Sequence, residues 1–398
     1  MKRRLAILFI LLALMNTKAN SQEVKPEGYT FTPVKEIQHT PIRNQSSTST
    51  CWIFSSLGFL EAEILRVGKP EIDLSEMYIS KNTYFDKADR YVRMQGTINY
   101  AGGGSFWDVI ETIKKYGITT EEAFKGLNYG EDRHVHGELD EATKAYLDAI
   151  IKNPNRKLST AWKKGLEGIF NAYLGENPKS FSFNGKDYTP STFAASLGLN
   201  LDDYVFITSF SHHPFYKQFI LEVPDNWAQK GAYNLPIDEF GQIFDYAVDN
   251  GYTVAWASDI SEKGFSYKNG VAVVPDVNVV DMSDSDKAKW TNLTDKEKDA
   301  QLYTFDKPCF EKTITQEFRQ VGFDNLQTTD DHGMLIVGTA KDQNGKVYFK
   351  IKNSWGTAGS KYNGYFYASK AFLLYKTTSI MVNKNSIPKP IAVKLGLK

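Results

Sequence analysis

From Cys51 onward the apolar residues Ile53, Phe54, Leu57, Leu60, Ile64 and Leu65 recur at three- and four-residue intervals, the pattern of a helix that buries one face. Ser49 and Thr50 are helix-starting types, and Gly68 with Pro70 ends the pattern. Asp73-Leu74-Ser75-Glu76-Met77 reads as a cap opening a second helix, and Tyr100-Ala101-Gly102-Gly103-Gly104-Ser105-Phe106-Trp107 opens a third that reaches about Tyr116-Gly117. Residues 138–152 and 158–174 keep a helical period with many charges, broken at Asn153-Pro154-Asn155. Beyond residue 200 the period shortens. Residues 204–208, 218–223, 253–257, 334–339, 347–351, 364–369 and 377–382 read as strands, with one helix over 236–250 between Pro236 and Gly251. The stretch 22–40 is expected to run extended over the surface, and the polar stretch 281–298 to be a surface helix or loop. A helical half is thus followed by a strand-rich half.

Composition narrows the partners. The 398 residues carry 47 basic and 47 acidic side chains, which gives no electrostatic case for nucleic acid. Lys2-Arg3-Arg4, an apolar run over 5–15 and small polar residues over 16–21 have the layout of a secretory signal, cleaved after Ser21. An exported protein, periplasmic or secreted, is therefore expected, with no stable membrane insertion after cleavage because the apolar run is short for a span. Only Cys51 and Cys309 are present. A disulfide between them would consume both thiols, and Cys309 after Pro308 reads as a half-buried loop residue. His134-Val135-His136 and His212-His213-Pro214 lack a third ligand at metal spacing and read as solvated loops, so no metal or cofactor is expected.

The candidate chemistry starts at Cys51. A cysteine in the first turn of a helix feels unpaired N–H groups and the positive end of the helix dipole, so its pKa is expected to fall. A thiolate nucleophile needs a base and oxyanion donors from elsewhere in the chain. His332 stands directly before a strand, Asn353 closes the next one, and Gln45 lies six residues ahead of Cys51. Taken singly, each has a bland reading: core thiol, loop histidine, turn asparagine. Together, in the order Gln45, Cys51, His332, Asn353 and within Cys51-Trp52-Ile53-Phe54-Ser55 and Asn353-Ser354-Trp355-Gly356, they resemble the papain-like cysteine peptidases.

That resemblance implies an α+β, two-lobed fold, a helical lobe plus a β-barrel-like lobe, forming one peptidase domain over 22–398 with a helical insertion at about 125–200. It makes Cys51 the nucleophile, His332 its base, Asn353 the orienter and Gln45 an oxyanion donor, with Trp355 shielding the His332–Asn353 contact. Gly103 and Gly104 would carry the substrate backbone, with Trp52 and Trp355 beside them as substrate-binding candidates. Thr48 and Ala101 occupy positions where the family often has a disulfide. Phe210-Ser211-His212-His213-Pro214-Phe215 and Trp256-Ala257-Ser258-Asp259 are similar to the bleomycin hydrolase and aminopeptidase C branch, whose members are hexamers with the C-terminal tail in the cleft. This chain differs in its export layout and its short tail after Pro388, where Ile391 and Val393 are expected to pack against the body. The implied activity is hydrolysis of peptides, with aminopeptidase-type trimming, an exported endopeptidase and a non-catalytic peptide-binding module as the readings to separate, and a homo-oligomer as the assembly implied.

Overall fold

The computed structural model describes residues 28–280 and 282–397, and the expected export segment lies outside them. Strand β1 (Phe31–Glu36) precedes helices α1 (Cys51–Arg66), α2 (Glu76–Arg93) and α3 (Phe106–Tyr116). Then come α4 (Gly137–Ile151), α5 (Ala161–Leu174), the hairpin β2 (Phe181–Phe183) and β3 (Lys186–Tyr188), and α6 (Pro190–Ser196). The strand-rich half holds β4 (Tyr204–Thr208), β5 (Gln218–Ile220), β6 (Gly231–Asn234), α7 (Ile237–Asp249), β7 (Val254–Ser258), β8 (Phe265–Ser266) and β9 (Val271–Ala272). It continues through α8 (Asp284–Asn292), α9 (Asp295–Leu302), α10 (Gln316–Asp324), β10 (His332–Asp342), β11 (Val347–Lys352) and β12 (Tyr365–Ser369). It ends with α11 (Lys370–Lys376), β13 (Thr377–Asn383) and α12 (Lys389–Lys394).

Eleven strands form one sheet in the order β5-β6-β4-β13-β7-β10-β11-β12-β9-β8, with β1 pairing along β10 as well. β10 is shared lengthwise. Its first half, His332 to Ile336, pairs with β7, and its second half, Gly338 to Asp342, pairs with β1. The helical half, α1 to α6, closes one core against the sheet, and α7 and α11 close a second that contains Trp256, Phe240 and Phe372.

Helix α1 departs from the one-faced pattern expected of it, because every residue from Trp52 to Leu65 is buried. It lies between β10 and β7 on one side and α2 and α3 on the other. Its two buried acids are satisfied: Glu61 accepts from Leu74 N–H at 3.0 Å, and Glu63 accepts from Arg66 and from Asn383. The cap foreseen at Ser75 forms, its hydroxyl accepting from Tyr78 N–H at 3.1 Å.

Arg319 on α10 is fully buried. Its guanidinium donates to Ser209 O at 2.6 Å, Leu374 O at 2.8 Å and Thr377 O at 2.6 Å, and lies 4.5 Å from the Phe210 ring centroid. It thus staples the end of β4 to the α11–β13 junction.

Two local expectations are corrected. The loop carrying His134 and His136 is not solvated, since His136 is fully buried and its backbone pairs with Ser47. In α12, Ile391 is buried but Val393 is 69% exposed, because residues two apart on a helix face opposite ways and Leu395, four on from Ile391, takes the second inward position.

Candidate active site

The N-terminus of α1 brings Cys51 to the floor of a cleft of about 610 Å3 whose walls include Gln45, Gly103, His332 and Trp355. His332, the first residue of β10, is held there by a close approach that only glycine allows at the next position. A Cβ on Gly333 would come within 2.8 Å of Ser55 Oγ and 3.1 Å of Trp52 Cα. The Gly333 N–H reaches the Cys51 sulfur, so strand and helix meet at the thiol.

His332 Nε2 lies 2.7 Å from Asn353 Oδ1. The Ser354 N–H donates to that same oxygen at 2.8 Å, which fixes it as an acceptor. His332 must then carry its proton on Nε2, leaving the Nδ1 lone pair unprotonated in the neutral ring. The Trp355 ring covers the imidazole at a centroid distance of 4.7 Å and 31° between planes.

Ser354 also orders Gln45. Its hydroxyl donates to Gln45 Oε1 at 2.6 Å and its carbonyl accepts from Gln45 N–H at 2.8 Å, so the Gln45 amide is held with its NH2 group as the remaining donor. Sequence reasoning quoted Ser354 only as part of a phrase. Its role follows from the short run after β11 lying beside the Gln45 loop, where Asn44 bridges to Trp355.

Glycines 102 to 104 form one wall. Trp52 is 2% exposed, donates from its indole to Gly102 O at 3.0 Å, and packs so tightly under Gly104 that a Cβ there would lie 2.8 Å from its ring. Trp52 thus props the glycine strip from behind and lines the recess beside Cys51. Lys87 does the same from deeper in the core, donating to Ala101 O at 2.8 Å and Gly103 O at 2.6 Å.

Electrostatics overturn one expectation. The helix start was expected to depress the Cys51 pKa, but burial pushes the thiol up to about 12, with Asp225 and Asp330 adding to the rise, and burial pushes His332 down to about 4. A single charge on either group is disfavoured. Transfer of the proton from Sγ to the imidazole creates both charges together with no net charge. In a Cys51→Ala protein, where no thiolate can hold an imidazolium, the His332 ring should titrate near pH 4 by NMR. A midpoint at or above about 6.5 would show a ring open to water. By the same sign, the unfolded chain takes up this proton first, so the His332 contribution to stability is lost as pH falls from about 6.5 toward 4.

Cys51 and Cys309 are both free thiols, and Cys309 accepts a hydrogen bond from Tyr29 OH at 3.3 Å in a small separate core. Among the described residues, His212, His213 and Glu222 are the one group with metal-ligand geometry. They form a surface cluster in which Glu222 takes both His Nε2 atoms at 2.9 and 3.0 Å. The tail after Pro388 packs on α7, where Lys394 pairs with Glu239, and among the described residues it contributes nothing to the cleft lining.

Comparisons with known proteins agree with this geometry. The model of the Peptidase C1-like family matches residues 12–303 and 283–396. Aminopeptidase G of Lactobacillus delbrueckii subsp. lactis is 24% identical over 89% of this chain and 83% of its own. Aminopeptidase C of Listeria monocytogenes is 24% identical over the same shares, and bleomycin hydrolase of Rattus norvegicus 20% identical over 94% and 86%. The crystal structure of PepW from Lactobacillus rhamnosis HN001 superposes with a TM-score of 0.69 at 20% identity, covering 92% of this chain and 84% of that one. The chain belongs to the Peptidase C1-like family and is a cysteine-type peptidase of papain-like fold, in the branch of aminopeptidase C and bleomycin hydrolase.

Proposed function

We propose that the chain is an aminopeptidase that removes residues from peptide N-termini through Cys51, His332, Asn353 and Gln45. The observation that carries the mechanism is the Ser354 N–H on Asn353 Oδ1, which assigns the His332 proton to Nε2 and leaves Nδ1 to accept the thiol proton. Cys51 Sγ gives its proton to His332 Nδ1 and attacks the carbonyl carbon. The oxyanion is met by the Gln45 NH2 group and the Cys51 N–H at the helix start, donors of a kind worth about 3 kcal/mol each. His332 then protonates the leaving amine, and a water that His332 deprotonates releases the acid from the thioester. Trp355 keeps bulk water off the His332–Asn353 contact.

The names of the relatives, which include aminopeptidases C and G, support exopeptidase over endopeptidase specificity. Comparing leucine 7-amido-4-methylcoumarin with its N-acetyl form tests it: the free amine should be cleaved at least about 100-fold better in kcat/KM, since losing a buried charge partner costs that much. Equal cleavage would make the enzyme an endopeptidase.

A further inference from the structure

Among the described residues the tail after Pro388 packs on α7 and does not line the cleft, so within them the substrate's ammonium group needs another anion. The cleft holds one. Asp225 lines both the open cleft and the narrower recess that continues from it under Trp107, together with Cys51 and His332. Neither lining includes a lysine or arginine.

Three carboxylates face this space, and they differ in their donors and in how close they lie to the glycine strip. Asp331 accepts from Ser261 N–H at 2.9 Å and from Thr329 Oγ1 at 2.9 Å. Asp330 accepts from the Asp225 backbone N–H. Asp225 accepts from Asn99 Nδ2 at 3.1 Å through Oδ1, and among the described residues Oδ2 takes no hydrogen bond, which leaves it open to a ligand. That oxygen lies against the glycine strip: a Cβ on Gly103 would come within 2.2 Å of it. An extended chain laid along the strip past Gly103 would collide with the carboxylate, so the same side chain closes this end of the cleft.

The turn that carries Asp225 is built rigidly. Ser105 Oγ donates to Asp225 O at 3.1 Å, Asn226 Nδ2 donates to Leu221 O and Lys230 O at 2.9 Å each, and Trp227 Nε1 donates to Asp108 Oδ2 at 2.9 Å. We propose that Asp225 is the specificity residue of this enzyme: its carboxylate receives the free α-ammonium of the residue whose carbonyl Cys51 attacks, and its bulk on Gly103 excludes any residue before it. The inference rests on the aminopeptidase reading and gives that reading its structural cause. Burial raises the Asp225 pKa and Lys87 behind the strip opposes the rise, so an arriving ammonium completes a half-compensated charge.

The test uses the same two coumarin amides on the wild type, Asp225→Asn, Asn99→Ala and a chain lacking residues 396–398, with thermal melts and Cys51 alkylation stoichiometry as folding controls. Asp225→Asn should lower kcat/KM for the free amine by about 100-fold, the cost of removing one member of a buried charge pair, and leave the N-acetyl substrate no worse. Asn99→Ala, which only unties Oδ1, should narrow the preference by roughly fivefold, about one lost hydrogen bond. Removing 396–398 should leave the preference intact. An Asp225→Asn enzyme that keeps the wild-type preference, or loses both substrates equally, overturns the assignment, as does a truncation that abolishes the preference. A wild type that cleaves both substrates equally would instead reject the aminopeptidase reading itself.

Discussion

Cys51→Ala should lower kcat/KM on any peptide amide by about 10^4-fold or more, the scale seen when the nucleophile of a preorganised acyl-transfer site is deleted. The size follows from what remains. Gln45 and the helix start would still hold an oxyanion, and His332 could still deprotonate a water, but no atom would stand where Sγ meets the carbonyl. Cys309→Ala is the control and should keep full activity, because Cys309 belongs to the core around Tyr29 and touches none of the cleft. A Cys51→Ala protein retaining more than a tenth of wild-type turnover would move the nucleophile elsewhere.

The largest effect on stability should come from Arg319→Ala. The buried carbonyls of Ser209 and Thr377 and the half-buried one of Leu374 would lose their donor at once, and the Phe210 and Phe240 rings would border the resulting void. Unsatisfied buried acceptors cost about 1–3 kcal/mol each before relaxation and water entry, so a net loss on the order of 4 kcal/mol is expected in denaturant titration. Arg319→Lys should recover only part of it, since one ammonium cannot present the guanidinium fork to carbonyls on two sides. Burial already holds the Arg319 pKa down, to about 9, because no carboxylate pairs with it. A loss below about 1 kcal/mol for the alanine variant would mean that water replaces the fork without penalty.

The reach of the sequence can be judged element by element. β4 and β11 stand within a residue of the stretches read from alternation, α7 begins and ends at its predicted signals and α3 ends at its own, because in each the breaker residue and the change of pattern coincide. The stretch 22–40 shows in sequence only as extended and poorly patterned; β1 forms within it and accommodates Pro33 at a register shift against β10. α11 was missed because it is seven residues long and runs into β13 with no glycine or proline between them. In the cleft, residues carrying their own chemistry were legible and those acting by placement were not. Cys51, His332, Asn353 and Gln45 announce themselves by type and order, whereas Ser354 matters through its two hydrogen bonds and Asp225 through a turn that folds back over Gly103. An aspartate in Val223-Pro224-Asp225-Asn226 looks like any turn former until the strip of glycines is laid beside it.

The position of β13 bears on when this peptidase can first cut anything. β13 alone joins β4 to β7, so until it is inserted the sheet is two separate pieces, one holding β5, β6 and β4 and the other carrying His332. A ribosome releases Cys51 well before His332, and His332 before β13. While the chain is being made, the thiol therefore has no base, and when the base emerges the strand that carries it has no finished sheet to stand on.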